Sequence, residues 1–306
     1  MNSRIIVDGI SLGPGKCAAV LKSVADESED ADCRSWLVRW ELGQDAQLIE
    51  LDFVASALVE FADALFVLGR LGTVARFVGK LRTNETINCP EDLGFLTDIR
   101  NVGGRLAAVG MWRQVYVRND TGIWSGPDEE ILDHAQGINE VTGLRAVSRT
   151  PAGAILGIGL EGEIWVKQST WLQDASPTNS ILEQACAAED GEMYLVGQRG
   201  TILRGLPGQW QVVNQPLIRD DLWGVASFKG QIYVTTGDNI FLLGPQGVVV
   251  PVESQRDGTR PRSKLQVDHG ALWSFSWDGC CWTEDGVMWR EASFSPSMLA
   301  LRTERD

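Results

Sequence analysis

Apolar and polar residues alternate in short runs along most of the chain, and glycine-centred turns break the runs. Residues 222–243, LWGVASFKGQIYVTTGDNIFLL, show the plan: alternation, a Gly turn, alternation, a second Gly turn, and alternation again. A period of two is that of strands with one face on a core, and Gly between such runs predicts hairpin turns. The same plan recurs at 57–77, 96–118, 144–167, 182–204 and 265–282. Anchoring each copy on the residue that ends its second run gives Gly69, Gly110, Gly159, Gly197, Gly237 and Ser276, at spacings of 41, 49, 38, 40 and 39 residues. The long spacing has a visible cause, the insertion PDEEILDHAQGINEV at 127–141, between a fourth run and the next first run.

Each copy closes with a Trp- or Val-rich fourth run, marked by Trp124, Trp171, Trp210, the stretch Val248–Val250, and Trp289. Four strands in about 40 residues is the repeat of a β-propeller blade. The first 53 residues supply one divergent unit, with strands expected at CAAVLKSV, SWLVRWEL and AQLIELDF. Six repeats plus this unit make seven blades, with six and eight as the neighbouring counts. The expected fold is therefore all-β. Residues 1–306 form a single propeller of four-stranded antiparallel blades, with a divergent blade at about 1–53, repeats at about 54–290 and a closing segment at 291–306. A strand from either terminus could join the two ends of the ring.

Twelve tryptophans fit this reading. Trp112 and Trp273 fall in or after second strands, Trp165 and Trp282 in third strands, and Trp171 and Trp210 in outer strands. Aromatic rings of this size fill the space between twisted sheets.

The run VGQRGTILR from Val196 to Arg204, followed by PGQW at 207–210, resembles the repeat of photosystem II assembly-factor-like and sialidase-type propellers. TEDGVMW at 283–289 and SWDGCCW at 276–282 resemble the Asp-box turn of those repeats, each one residue short between Asp and Gly. The Trp-Asp pair of Trp-Asp (WD40-like) repeats occurs once, at Trp277-Asp278. The resemblance spans about 54–290 and implies a fold rather than an activity.

Charge narrows the partners. The net charge is −14, which argues against nucleic acid and against anionic membranes, both of which select basic surfaces. It favours a basic partner. An acidic run, Asp26 to Asp32, and a basic group, Arg256, Arg260, Arg262 and Lys264, make the charge uneven. No basic segment followed by a long apolar run opens the chain, so a cytoplasmic location is expected. The six cysteines are scattered without a C-x-x-C pair and are expected to be reduced.

No motif for chemistry is complete in the chain. GIGLEG at 157–162 is followed by EIWVKQ, a strand pattern, where a dinucleotide site needs a helix. GPGK at 13–16 lacks both the spacing and the hydroxyl of a phosphate loop. The two histidines, His134 and His269, have no ligand spacing or nucleophile beside them. Tyr116, Tyr194 and Tyr233 all fall inside strands, away from any sialidase-like centre. The polar residues of the first strands, among them Asp98, Arg100, Arg145, Glu183, Gln184, Gln266 and Asp268, are those of a wet channel. No catalytic residue, metal site or cofactor is expected.

The expected function is protein binding. One specific version is an immunity-type inhibitor of a basic toxin; the alternatives are a carbohydrate-binding or glycan-processing propeller and an assembly factor. Turns between second and third strands share one rim, and they carry Arg70, Trp112, Arg113, Glu161, Arg199, Asp238, Trp277 and Asp278. Trp and Arg among polar neighbours are the residue types that anchor protein interfaces, so the partner is expected there.

Overall fold

A computed structural model describes residues 4–23, 33–132, 142–252, 264–277 and 279–292. The strands, numbered β1–β28 in chain order, form seven sheets of four consecutive antiparallel strands each. The first strands of the blades are β1 (Arg4–Ser11), β5 (Ala55–Phe61), β9 (Leu96–Asn101), β13 (Leu144–Arg149), β17 (Leu182–Ala187), β21 (Gly224–Phe228) and β25 (Lys264–Asp268). Each packs beside the first strand of the next blade, and β25 returns to β1, so the seven blades close a ring. Among the described residues there is no α-helix.

The divergent N-terminal blade contains the three expected strands and one that the sequence pattern did not reveal. That strand is β1, the innermost, whose register on β2 (Lys16–Ser23) shifts between Ile6 and Asp8. Four further first strands carry a similar shift: β5, β9, β13 and β17. A bulge of this kind adds local twist and turns a side chain toward the channel.

The glycines that set the repeat have a physical cause. At the end of the second strand the loop entering the blade crosses so closely that a Cβ on Gly110 would meet Phe95 O at 2.5 Å, and one on Gly197 would meet Ile181 O at 2.0 Å. The sixth blade departs from the expected anchor. Thr235 pairs with Ile240, as Val196 does with Ile202, so the equivalent residue is Thr236 and not Gly237. The corrected spacing on either side is 39 and 40 residues, from Gly197 to Thr236 and from Thr236 to Ser276.

No strand is shared across the ring closure among the described residues: β25–β28 are consecutive, ending at Ala292, as are β1–β4. The first and seventh blades instead share one aromatic cluster containing Trp36, Trp40, Trp273, Phe275 and Trp282. Trp273 stacks on Phe275 and on Trp282, with centroids 5.7 and 5.9 Å apart, and meets Trp40 edge-on at 6.0 Å. Gly9 lets β1 approach this cluster, since a Cβ there would lie 2.2 Å from the Phe275 ring. Two backbone carbonyls complete the seam: Trp277 O accepts from Ile6 N, and Gly13 O from the Trp273 indole. Residues 293–306 of the expected closing segment lie outside the described residues.

Adjacent blades are also tied at the outside by one recurring device. The indole N–H of Trp124 donates to Glu85, that of Trp171 to Asp128 and that of Trp210 to Asp174, at 2.9, 2.9 and 2.7 Å. In each case the tryptophan belongs to the outer strand region of one blade and the carboxylate to that of the blade before. The acceptors occupy equivalent places: Glu85 lies opposite Val74, and Asp128 and Asp174 donate backbone N–H to Val115 and Ile164, which hold the place of Val74 in their own third strands. Between the first two blades an ion pair, Arg82 with Asp52, stands in for the Trp–carboxylate pair.

Candidate functional site

Five first strands, β1, β9, β13, β17 and β25, bring the ionisable groups that pair across the channel, which holds a cavity of about 460 Å³. Asp8 sits at the bulge of β1, fully buried, and accepts the backbone N–H of Leu58 in the next blade at 2.9 Å. Arg100 reaches Asp8 at 3.2 Å and Asp98 at 3.1 Å, and Lys264 lies 3.6 Å from Asp8. Burial pushes the Asp8 carboxyl up, but the Arg100 and Lys264 charges and the Leu58 N–H outweigh it and hold it below the usual carboxylate range. Asp98 repeats the arrangement one blade pair further on, accepting from Val147 N at 3.0 Å. Arg145 pairs with Glu183 at 3.0 Å, and Gln184 bonds both N–H and C=O of Leu265. These charges are engaged with one another and with backbone, and they join blades across the channel. Nothing in the set pairs a nucleophile with a base.

At one mouth of the channel the imidazole of His269 meets Glu60 at 2.8 Å, with Asp268 beside it. His269 occupies the predicted turn between first and second strands, with φ at 49°. The Glu60 contact raises its pKa above the usual imidazole value. The three side chains are the one group among the described residues with donors close enough to share an ion. Their geometry is accounted for by the ion pair, and a metal would have to displace the imidazole proton first. His134 lies outside the described residues.

The turns between second and third strands do lie together on one rim, stitched to the loops between blades. Leu96 N donates to Arg70 O, Trp112 N to Thr142 O, and Leu222 N to Gly197 O. The structure places one or two of the expected partner-binding residues on each of six blades. Trp112, Arg113, Glu161 and Arg199 all have φ between 53° and 59°, because these tight turns need the left-handed region. Glu161, Arg199, Asp238 and Trp277 are exposed, and Trp277 keeps 44% of its surface. Arg70 is half-buried, its guanidinium 5.1 Å from the Phe95 ring. Arg113 is turned into the protein: it makes a two-pronged bond to the buried Glu163, at 2.5 and 2.8 Å, and lies over Trp165. Asp278 lies outside the described residues, as do Asp26–Asp32 and Arg256, Arg260 and Arg262.

Sequence reasoning missed the apolar part of this rim. Leu71, Phe95 and Leu217 are 75%, 42% and 67% exposed, on the same turns and loops as Arg70 and Trp277. Leu71 follows Arg70 directly, and a single leucine in a turn carries no motif. Glu163 also escaped notice, since a Glu at the start of a third strand carries no motif.

The Asp-box reading holds for the copy at 283–289, while the copy at 276–282 turns on Asp278, outside the described residues. Asp285 accepts the N–H groups of Val287 and Met288, both at 2.8 Å, and Thr283 Oγ accepts from Gly286. A further turn of this kind, at Asn119–Ile123, precedes Trp124, with Asn119 accepting from Thr121 and Ile123. None of the six cysteines is in a disulfide, and burial pushes the Cys186 thiol up to about 12.

No protein-family model matches the chain. A curated relative does: the immune protein Tsi7 of Pseudomonas aeruginosa is 31% identical over 287 residues, covering 87% of this chain and 92% of that protein. Among solved structures, YCF48 from Cyanidioschyzon merolae superposes with a TM-score of 0.66 at 13% identity, covering 91% of this chain and 94% of its own. The WD40 propeller domain of Doa1 gives 0.66 at 11% identity, covering 98% of each chain. At such identities these two likenesses speak to the fold, and they agree with the repeat resemblance read from the sequence.

Proposed function

The chain belongs to the family of the immune protein Tsi7, and we propose that it is an immunity protein that neutralises a cognate toxin by binding it, with no chemistry of its own. The observation that carries this reading is kinship over nearly the full length of both proteins. The pairing of the channel charges supports it, since Asp8, Asp98, Arg100, Arg145 and Glu183 are all engaged within the ring. So does the rim where Leu71, Phe95 and Trp277 are exposed beside Arg70, Glu161, Arg199 and Asp238. Apolar anchors with a charged surround make the composition of a protein interface. The toxin surface that meets this chain is basic, in keeping with a net charge of −14, and the encounter takes place in the cytoplasm.

The test is to isolate the protein from its native cells at physiological salt and identify what co-purifies. A toxin whose activity is suppressed in the complex is the expected result. Trp277→Ala and Leu71→Asp should shorten the life of that complex at least tenfold while the protein stays folded. Recovery of no protein partner, with specific retention on a glycan array, would replace this reading by the carbohydrate-binding one.

A further inference from the structure

One of the outer clefts lacks both partners of its tie. In register, Trp124 lies opposite Arg118 and Trp171 opposite Lys167 in their third strands, and the residue at that place in the sixth blade is Val249, opposite Leu243. The acceptor is missing too. Asp128 and Asp174 donate backbone N–H to Val115 O and Ile164 O; the residue that does so in the fifth blade, to Ile202 O, is Val213. Where three clefts hold an indole hydrogen-bonded to a carboxylate, the cleft between the fifth and sixth blades holds valine against valine. It is there that the molecule has a cavity of about 840 Å³, against about 460 Å³ for the one in the channel. Its walls mix apolar side chains, among them Val212, Val213, Ile232 and Leu242, with polar ones such as Gln211 and Gln231. Glu189 and Asp190 stand exposed at its edge, on the turn between the fifth blade's first two strands. Arg204, which also lines the cleft, is already held by Asp190 and Glu192.

The sister clefts show what such a gap takes when it is filled: a flat aromatic ring entering from the outside. The edge shows which neighbours that ring would have: Asp190 and Glu192 hold Arg204, and the further carboxylate of Glu189 favours a cationic one. We infer that the cleft between the fifth and sixth blades is a docking site for a segment of another protein that inserts an aromatic side chain flanked by Lys or Arg. The inference deepens the immunity reading and rests on it only for the identity of the partner. The cleft lies on the outside of the ring, where the turns between first and second strands project, and so is distinct from the rim of Leu71 and Trp277.

The probe is the peptide acetyl-Lys-Trp-Lys-amide, titrated into protein with labelled Ile, Leu and Val methyl groups and followed by NMR. Shifts are expected at Val212, Val213, Ile232, Leu242 and Val250, and none with acetyl-Lys-Ala-Lys-amide. Two variants close the site differently. Val213→Asp with Val249→Trp rebuilds the tie within the chain. Glu189→Lys with Val250→Lys changes two exposed positions and keeps the fold even if the first pair does not. Each should weaken the Trp peptide at least tenfold. Equal response to both peptides, shifts centred elsewhere, or binding untouched by the exposed pair would overturn the inference. The same variants belong in the co-purification experiment. A partner recovered by the native chain and held as tightly by the folded variants defeats the cleft but leaves the immunity reading standing. Absence of any partner for the native chain defeats that reading, while the peptide result still decides the cleft.

Discussion

Some tryptophans use the indole N–H, while two, Trp282 and Trp289, keep it buried without a hydrogen-bond partner among the described residues. Trp210 is buried and donates to Asp174, which also accepts from Gly208 N. Trp289, in the seventh blade, packs edge-on against Tyr233 and keeps a buried indole N–H with no hydrogen-bond partner among the described residues. Its counterpart acceptor in the sixth blade is Val252, which donates to Ile240 O as Asp174 does to Ile164 O. Removing one partner of a charged hydrogen bond costs more than removing a group that had none. Trp210→Phe should therefore lower unfolding free energy by about 1–2 kcal/mol, whereas Trp289→Phe should leave it unchanged or raise it. Urea denaturation of the two variants checks this, and equal losses would mean that ring packing alone holds the clefts. The tryptophan positions were legible from the sequence as ends of repeats. Their acceptors were not, because Glu85, Asp128 and Asp174 lie at variable distance from them in the chain and resemble any surface acid.

At the scale of strands and blades, alternation and turns fixed what local sequence can fix. The six repeats fall on the observed strands because a two-residue period and a glycine at a close backbone crossing are local requirements. The strand that escaped, β1, owes its place to the opposite kind of residue. Its sequence, RIIVDGIS, interrupts alternation with Asp8 at the bulge, and the reason for that carboxylate lies in other blades, at Leu58, Arg100 and Lys264. Asp8→Ala leaves Arg100 buried beside fewer countercharges, and breaking a buried pair on one side costs about 3–5 kcal/mol. The pH dependence follows from the depressed carboxyl. Folded-state pKa lies below the ordinary 3.8, so the stabilisation is full above that value and is lost as pH falls through the lower one. Asp8→Ala should accordingly show a shallower loss of stability in acid than the native chain. An acid limb of unchanged slope, measured by thermal melts below pH 4, would assign the effect to other carboxylates.

The whole molecule carries −14 charges, and its repeats say little about where a partner lies. Charge acts at long range and is screened within about 10 Å at 0.1 M salt. Association with a protein partner should therefore slow severalfold between about 50 and 500 mM salt, while dissociation should change little if apolar contacts set the lifetime. Stopped-flow and surface-capture rates separate the two; a salt-independent association rate would remove charge steering from the account. The fold was readable at this scale because seven similar units must make a ring. The face that binds was not, because exposure of Leu71 or vacancy of a cleft depends on which side chains the neighbouring blade happens to supply.

The seam between the seventh and first blades has a mechanical consequence. Many bonds of a strand shared across a seam would have to shear together, but here each end of the described chain belongs wholly to its own sheet. A pull transmitted through Ala292 falls first on the three-residue β28 (Arg290–Ala292), which is held to β27 (Cys280–Thr283) through the pairs Cys280–Ala292, Cys281–Glu291 and Trp282–Arg290. Those bonds can be peeled one after another rather than broken at once. Among the described residues the ring is thus closed by an aromatic cluster rather than by a shared strand, and its last strand can come away from its own sheet without opening that cluster's strands first.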